Sequence, residues 1–208
     1  MSISSLQFLI ALLFLSTIFV YLRGRHSRQI VLAGCNAGFL WLLIPNAESW
    51  VTLGVWLFSG YIVGRLLERR PNQAVRVAYI VVLVAAFLVI KKYDLVTLYL
   101  PKSIAANTVY IVGVSYMLFR QVHFLVDASQ GQVGQVSLWS YANYQLNFFT
   151  LLSGPIQRFQ EFQPQWEELS PALANRGEVQ SAHFRILFGV VKMAVIAPFF
   201  LNFISDHY

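Results

Sequence analysis

The 208-residue chain carries 57% hydrophobic and only 12% charged side chains, with a net charge of +6 and a mean hydropathy of +0.59, where an average soluble domain has about 25% charged residues. A soluble globule of this size has too much surface for its volume to hide that much apolar material, which excludes a soluble enzyme and a disordered chain. The 15 Lys and Arg residues lie in short clusters between apolar runs, as in a polytopic membrane protein and unlike a nucleic-acid binder.

Residues 1–22 are uncharged, and Arg23, Arg25 and Arg28 follow at once. Charge after the apolar stretch, with no small-residue cleavage site, is the wrong order for a secretory leader and predicts a first membrane helix with its N-terminus outside. A second uncharged run covers Gln29–Ala47, broken by Pro45 and Asn46, and a third covers Ser49–Gly64. Arg65 to Pro71 reads as a short basic loop. Val77–Ile90 is a fourth segment of 14 residues, short of the roughly 20 that cross a bilayer upright, with Arg76 and Lys91 placed to snorkel. Ser103–Phe119 is a fifth. The longest uncharged window, Ala128–Gln157, is polar in its first third and predicts a sixth helix over Leu138–Leu152. Phe184–Ile204 is a seventh, interrupted by Arg185, Lys192 and Pro198. Between the last two, Pro155–Arg185 alternates aromatic and polar residues and reads as interfacial, with Phe159, Phe162 and Trp166 at the lipid boundary.

The expected fold class is therefore all-α: a polytopic integral membrane protein of six to seven membrane helices plus interfacial segments. No repeat of fixed period is present. Basic loops after the first and third segments, against a lone Glu48 between the second and third, place both arginine clusters in the cytoplasm. Lys91, Lys92 and Lys102 break simple alternation, either because the fourth segment is re-entrant or because these lysines lie at the interface. The lone Cys35 excludes an internal disulfide. His26, His123, His183 and His207 are too far apart for the i,i+4 pairing of helical metal sites, so no metal is expected.

Polar chemistry is concentrated in two places. In a helix, Tyr116, Arg120, His123 and Asp127 fall at i, i+4, i+7 and i+11 on one face, opposite Met117, Leu118, Val122 and Leu125. Such a stripe faces protein or a watery cavity, because charge facing lipid is costly. The plainer alternative is that His123 and Asp127 pair with each other near the membrane surface. The second place is Asn143–Arg158, where Gly154-Pro155 ends a helix and strands its carbonyls. Broken backbone at membrane depth is tolerated only inside protein or along a cavity. Arg158 then either anchors a phosphate or carboxylate group or snorkels at the interface.

Gly113-Val-Ser115-Tyr116, Phe119, Asp127, Gly131, Ser153-Gly-Pro-Ile-Gln-Arg158 and Phe162, in that order and spacing, resemble the membrane-bound O-acyltransferase (MBOAT) family. The closest branch is the bacterial one of alginate O-acetylases and teichoic acid D-alanyl transfer. Gly189-Val-Val-Lys192 resembles the family's next segment. The resemblance divides the single transmembrane domain, residues 1–208, into variable N-terminal helices (1–103) and a family-like core (104–192). It implies a helical funnel that transfers an acyl group, acetyl by expectation, from a cytoplasmic acyl-CoA or acyl carrier protein to a hydroxyl of an envelope or exported glycan. Such a protein sits in the bacterial inner membrane, in contact with lipid and with accessory acetylation proteins, and has no bound cofactor. Ser115, Tyr116, Arg120, His123, Asp127, Gly154, Pro155 and Arg158 become candidates for lining its substrate channel.

A base must take the hydroxyl proton, which is worth about 10²–10⁴ in rate, and donors must meet the developing oxyanion. The family's catalytic histidine, with an asparagine before it, lies beyond the segment matched by Gly189–Lys192, and none of the four histidines here occupies that position. The resemblance therefore implies an incomplete MBOAT domain with no catalytic residue among these 208. His123 and Arg120 also depart from the family pattern, which has a small polar residue and a glutamine there. Two other readings fit the intramembrane polar pattern: a transporter component whose path the stripe lines, and a non-catalytic membrane scaffold that recruits a soluble partner.

Overall fold

The computed structural model describes residues 17–18, 22, 24–93, 109, 111–151, 156–167 and 176–200, and among these there are helices and no strands. Two compact units are formed, residues 29–168 and residues 1–28 with 169–208. The all-helical expectation holds. Two helices are long and apolar enough to cross a membrane, Ala47–Arg69 and Gln73–Lys91.

In the larger unit, helix α1 (Arg25–Leu43) gives way at Pro45 to α2 (Ala47–Arg69). Asn46 caps α2, its Oδ1 accepting the Ser49 N–H at 3.1 Å; this fills one of the four donors that a helix start leaves open. The run expected as a basic loop is instead helix through Arg69, with Arg65 paired to Glu68 at 2.9 Å. Arginine is a good helix former, and Arg69 suits the negative end of the helix dipole. Only Arg70, Pro71 and Asn72 connect α2 to α3 (Gln73–Lys91). Asn72 accepts from the N–H groups of Ala74 and Val75 at 2.9 and 3.2 Å and starts α3 four residues before the apolar run. The 19-residue helix is about 28 Å long at 1.5 Å per residue, so the fourth segment is not short.

The fifth apolar run is not one helix. Gly113, with φ 75°, precedes α4 (Val114–Ser129), which runs on through the polar stripe. A Cβ at Gly113 would stand 2.7 Å from the Leu151 carbonyl oxygen, so both the backbone angle and the close approach require glycine. The helix ends at Gly131, φ 69°, where the Gln132 N–H returns to the Asp127 carbonyl at 3.0 Å, a left-handed C-terminal cap.

Helix α4 is the hub of this unit, in contact with α2, with α3, with α5 (Leu138–Gln145) and with α7 (Phe159–Glu167). Gly60 of α2 lies against Gln121 of α4, and Gly64 lies against Phe124, so α2 and α4 run parallel with α3 as the return. A Cβ at Gly60 would fall 1.5 Å from Gln121 Nε2, and one at Gly64 would fall 2.1 Å from Phe124 Cε1. Gly60 and Gly64 form the small-x-x-x-small spacing that lets membrane helices approach closely. Toward the start of α4, Leu40, Ile44, Leu53, Val114, Met117 and Leu151 close an apolar core.

The sixth predicted helix is broken. Helix α5 stops at Gln145, and α6 (Phe148–Leu151) restarts after Leu146-Asn147. The interfacial reading of the next aromatics is also corrected. Phe159, Phe162 and Trp166 of α7 are buried; Phe159 meets Tyr144 edge-on at 5.2 Å, and Trp166 stacks on Phe162 at 5.6 Å. Their i, i+3, i+7 spacing makes one helical face, and α5 and α4 supply the surface it covers. The smaller unit holds α8 (Arg176–Val191), which continues through a π-helical turn at Lys192–Ile196. In that unit Thr17 Oγ1 lies 3.5 Å from His183 Nε2. The first predicted segment and the last residues of the seventh lie mostly outside the described residues.

Candidate functional site

Nine of the sixteen residues of α4 are buried, among them both Arg120 and Asp127. Tyr116, Ser115 and His123 are half-buried. Met117, Leu118 and Leu125, expected on a separate apolar side, are buried too, so α4 is enclosed on both sides.

Arg120, 1% exposed, donates from Nη1 to the carbonyls of Tyr144 and Gln145 at 3.0 and 3.1 Å, and from Nη2 to Thr150 Oγ1. Its guanidinium lies 5.8 Å from the centre of the Tyr144 ring. These carbonyls belong to the last turn of α5, which has no helical partner for them. Arg120 therefore plugs the end of α5 with a fork of charged donors, the geometry in which arginine exceeds lysine.

The other side of the same break is held from α1. Buried Asn36 donates from Nδ2 to Asn143 Oδ1 at 3.0 Å, and its own Oδ1 accepts the Phe148 N–H at 3.0 Å. Asn143 in turn donates to the Trp139 carbonyl at 2.9 Å. Two polar residues on two helices thus satisfy a break in the backbone inside the protein, as a low-dielectric interior demands. Tyr144 extends the arrangement, donating to the Gln157 carbonyl at 2.9 Å, two residues beyond the predicted Gly154-Pro155 stop. Gly154 and Pro155 themselves lie outside the described residues.

A second polar group collects around Gly60. Gln121 Nε2 reaches the Trp56 carbonyl and Tyr79 Oη, both at 3.4 Å, and Tyr79 donates to Ser59 Oγ at 2.7 Å. Gln121 Oε1, Trp56 Nε1, Tyr141 Oη and both amide atoms of Gln145 are buried without hydrogen-bond partners. Buried groups of this kind cost about 1–3 kcal/mol each, and here they offer both donors and acceptors.

Asp127 closes the far end of α4. It is buried, its Oδ2 has no partner, and it lies at the negative end of the helix dipole. The expected pairing with His123 is absent: among the described residues the ion pair present is Arg65–Glu68. Arg158 is exposed. The structure thus separates the predicted stripe into a helix-end plug at Arg120 and a buried carboxylate at Asp127 whose Oδ2 has no partner.

Sequence reasoning missed Asn36, Gln121, Tyr141, Tyr144, Gln145 and the Gly60/Gly64 pair. A lone Asn in an apolar run and a Gly-x-x-x-Gly spacing were the available signals. Among the described residues no group of three His, Cys, Asp or Glu could hold a metal ion.

Two curated relatives share parts of this chain. Teichoic acid D-alanyltransferase of Lacticaseibacillus rhamnosus is 33% identical over 51 residues, 24% of this chain and 13% of the relative. Teichoic acid D-alanyltransferase of Streptococcus thermophilus (strain ATCC BAA-250 / LMG 18311) is 28% identical over 93 residues, 43% of this chain and 21% of that protein. The chain thus spans 13% and 21% of the length of the two curated relatives it matches. No family profile matches it, and no solved structure does. The likeness supports a distant relation to membrane acyltransferases.

Proposed function

We propose that this chain forms part of a membrane-bound O-acyltransferase of the MBOAT type, in a bundle of six to seven membrane helices in a bacterial inner membrane. The observation that carries the reading is the partial identity to two teichoic acid D-alanyltransferases, in a chain whose α2 and α3 suit a membrane. The donor is an acyl-CoA or an acyl carrier protein on the cytoplasmic side, and the acceptor is a hydroxyl of an envelope glycan. The relatives' names favour an aminoacyl group over the acetyl expected from the wider branch.

In this reading the described residues build the wall of the site. Arg120 and Asn36 hold the α5–α6 break. Gln121, Tyr141, Gln145 and Trp56 keep polar atoms free of protein partners inside the bundle, where a polar substrate can use them. No group here is placed as a general base, and His123 is not assigned that role. The engagement of Arg120 with backbone carbonyls weakens the transporter alternative, which needs that charge along a path.

Deleting the gene and measuring ester-linked acyl groups on the envelope glycan by mass spectrometry tests the reading. Loss of an alanyl or acetyl ester, restored by the wild-type gene and by His123→Ala, is the expected result. Unchanged esters on deletion would overturn it, and failure of His123→Ala alone to restore them would make His123 the base.

A further inference from the structure

We propose that the Arg69–Arg70 end of α2, with the apolar stripe leading to it, binds an anionic phospholipid. Exposed Val51, Val55, Phe58, Ile62 and Leu66 fall at i, i+4, i+7, i+11 and i+15, a single line along the outside of α2. Arg69 follows at i+18, five full turns from Val51 at 3.6 residues per turn, so the line of apolar side chains ends on a guanidinium. Arg70 comes next, and Val77 and Val81, near the start of α3, are exposed as well.

Neither arginine is neutralised. Glu68, the acid beside them, is taken by Arg65 at 2.9 Å, and Arg76 is turned away to Ser129 Oγ at 2.7 Å. Arg69 and Arg70 are exposed and form no ion pair among the described residues. The surface pairs a strip long enough for an acyl chain with two adjacent forks for a phosphate. Charge complementarity selects a lipid of net negative charge, since a zwitterionic headgroup brings its own cation. Basic clusters at the cytoplasmic end of a membrane helix gain about fivefold in anionic-lipid association per residue.

The proposal rests on the membrane placement of α2 and α3 and is independent of acyl transfer. The full chain is reconstituted in phosphatidylcholine bilayers, and electron spin resonance measures the preference for spin-labelled phosphatidylglycerol over spin-labelled phosphatidylcholine. The wild-type chain is expected to prefer phosphatidylglycerol. R69Q/R70Q should lose roughly thirty-fold of the relative association constant at that site, R69K/R70K should keep more than half of the preference on a logarithmic scale, and K91Q, at the other end of α3, should leave it intact. If the double variant loses helix content, the single variants R69Q and R70Q decide the matter at about fivefold each. Equal association of the two lipids with the wild-type chain would overturn the proposal. So would an unchanged preference in the arginine variants, or an equal loss in K91Q.

Discussion

Helices α3 and α4 lie side by side and invert the usual rule of protein interiors. Between Arg76 and Lys91, α3 has no charged residue, yet only Leu83 of the whole helix is buried. In α4 an arginine and an aspartate are buried together with most of the helix. In water this would be an expensive arrangement. In a bilayer it is the cheap one: lipid is as apolar as valine, and the protein interior is the only place where charges find partners. The burial pattern, more than the length of either helix, argues that the surroundings of this unit are hydrocarbon.

Substitutions in α3, in α4 and in the neighbours that α4 packs against should therefore cost amounts opposite to those their hydrophobicity suggests, measured as unfolding free energy in mixed detergent micelles followed by circular dichroism. Arg120→Leu makes α4 more apolar but strands two carbonyls and a hydroxyl; a loss of about 3–5 kcal/mol is expected. Gly60→Ala comes next, at about 1–3 kcal/mol, because its Cβ meets Gln121 and Tyr141 and forces them aside. Asn36→Leu removes one arm of the clamp on the α5–α6 break and should cost about 1–2 kcal/mol. Val81→Ala, in the more apolar helix, should stay within about 0.5 kcal/mol. A cost for Val81→Ala equal to that for Arg120→Leu would break the contrast and point to an aqueous setting with a missing partner against α3.

The helical class and the positions of the main apolar runs were legible because hydropathy and period report them directly. Helix ends were less so. Arg65–Arg69 looked like a loop when charge alone was counted, although every residue there is a fair helix former and Pro71 marks the true stop. Gly113 was read as part of a motif, and its left-handed turn depends on the approach of Leu151, thirty-eight residues away in sequence. The polar stripe was placed correctly on α4, but a helical wheel cannot tell which face meets which neighbour. Asp127 and His123 share a face without pairing, and Arg120 finds its acceptors on α5 rather than on its own helix. The spacing of the α7 aromatics fits any apolar surface, and only the neighbouring α5 and α4 show that the surface is protein.

The three residues joining α2 to α3 also bear on how the molecule is made. So short a connection makes a hairpin of two helices that are each long and apolar enough to cross a membrane. Helix α4 is synthesised later and carries side chains that cost about 2.5–3.5 kcal/mol each at the centre of a membrane. Its packing uses that hairpin, whose glycines at positions 60 and 64 leave room for Gln121 and Phe124. In sequence order the unit thus sets out the apolar pair first and then the polar helix that packs against it.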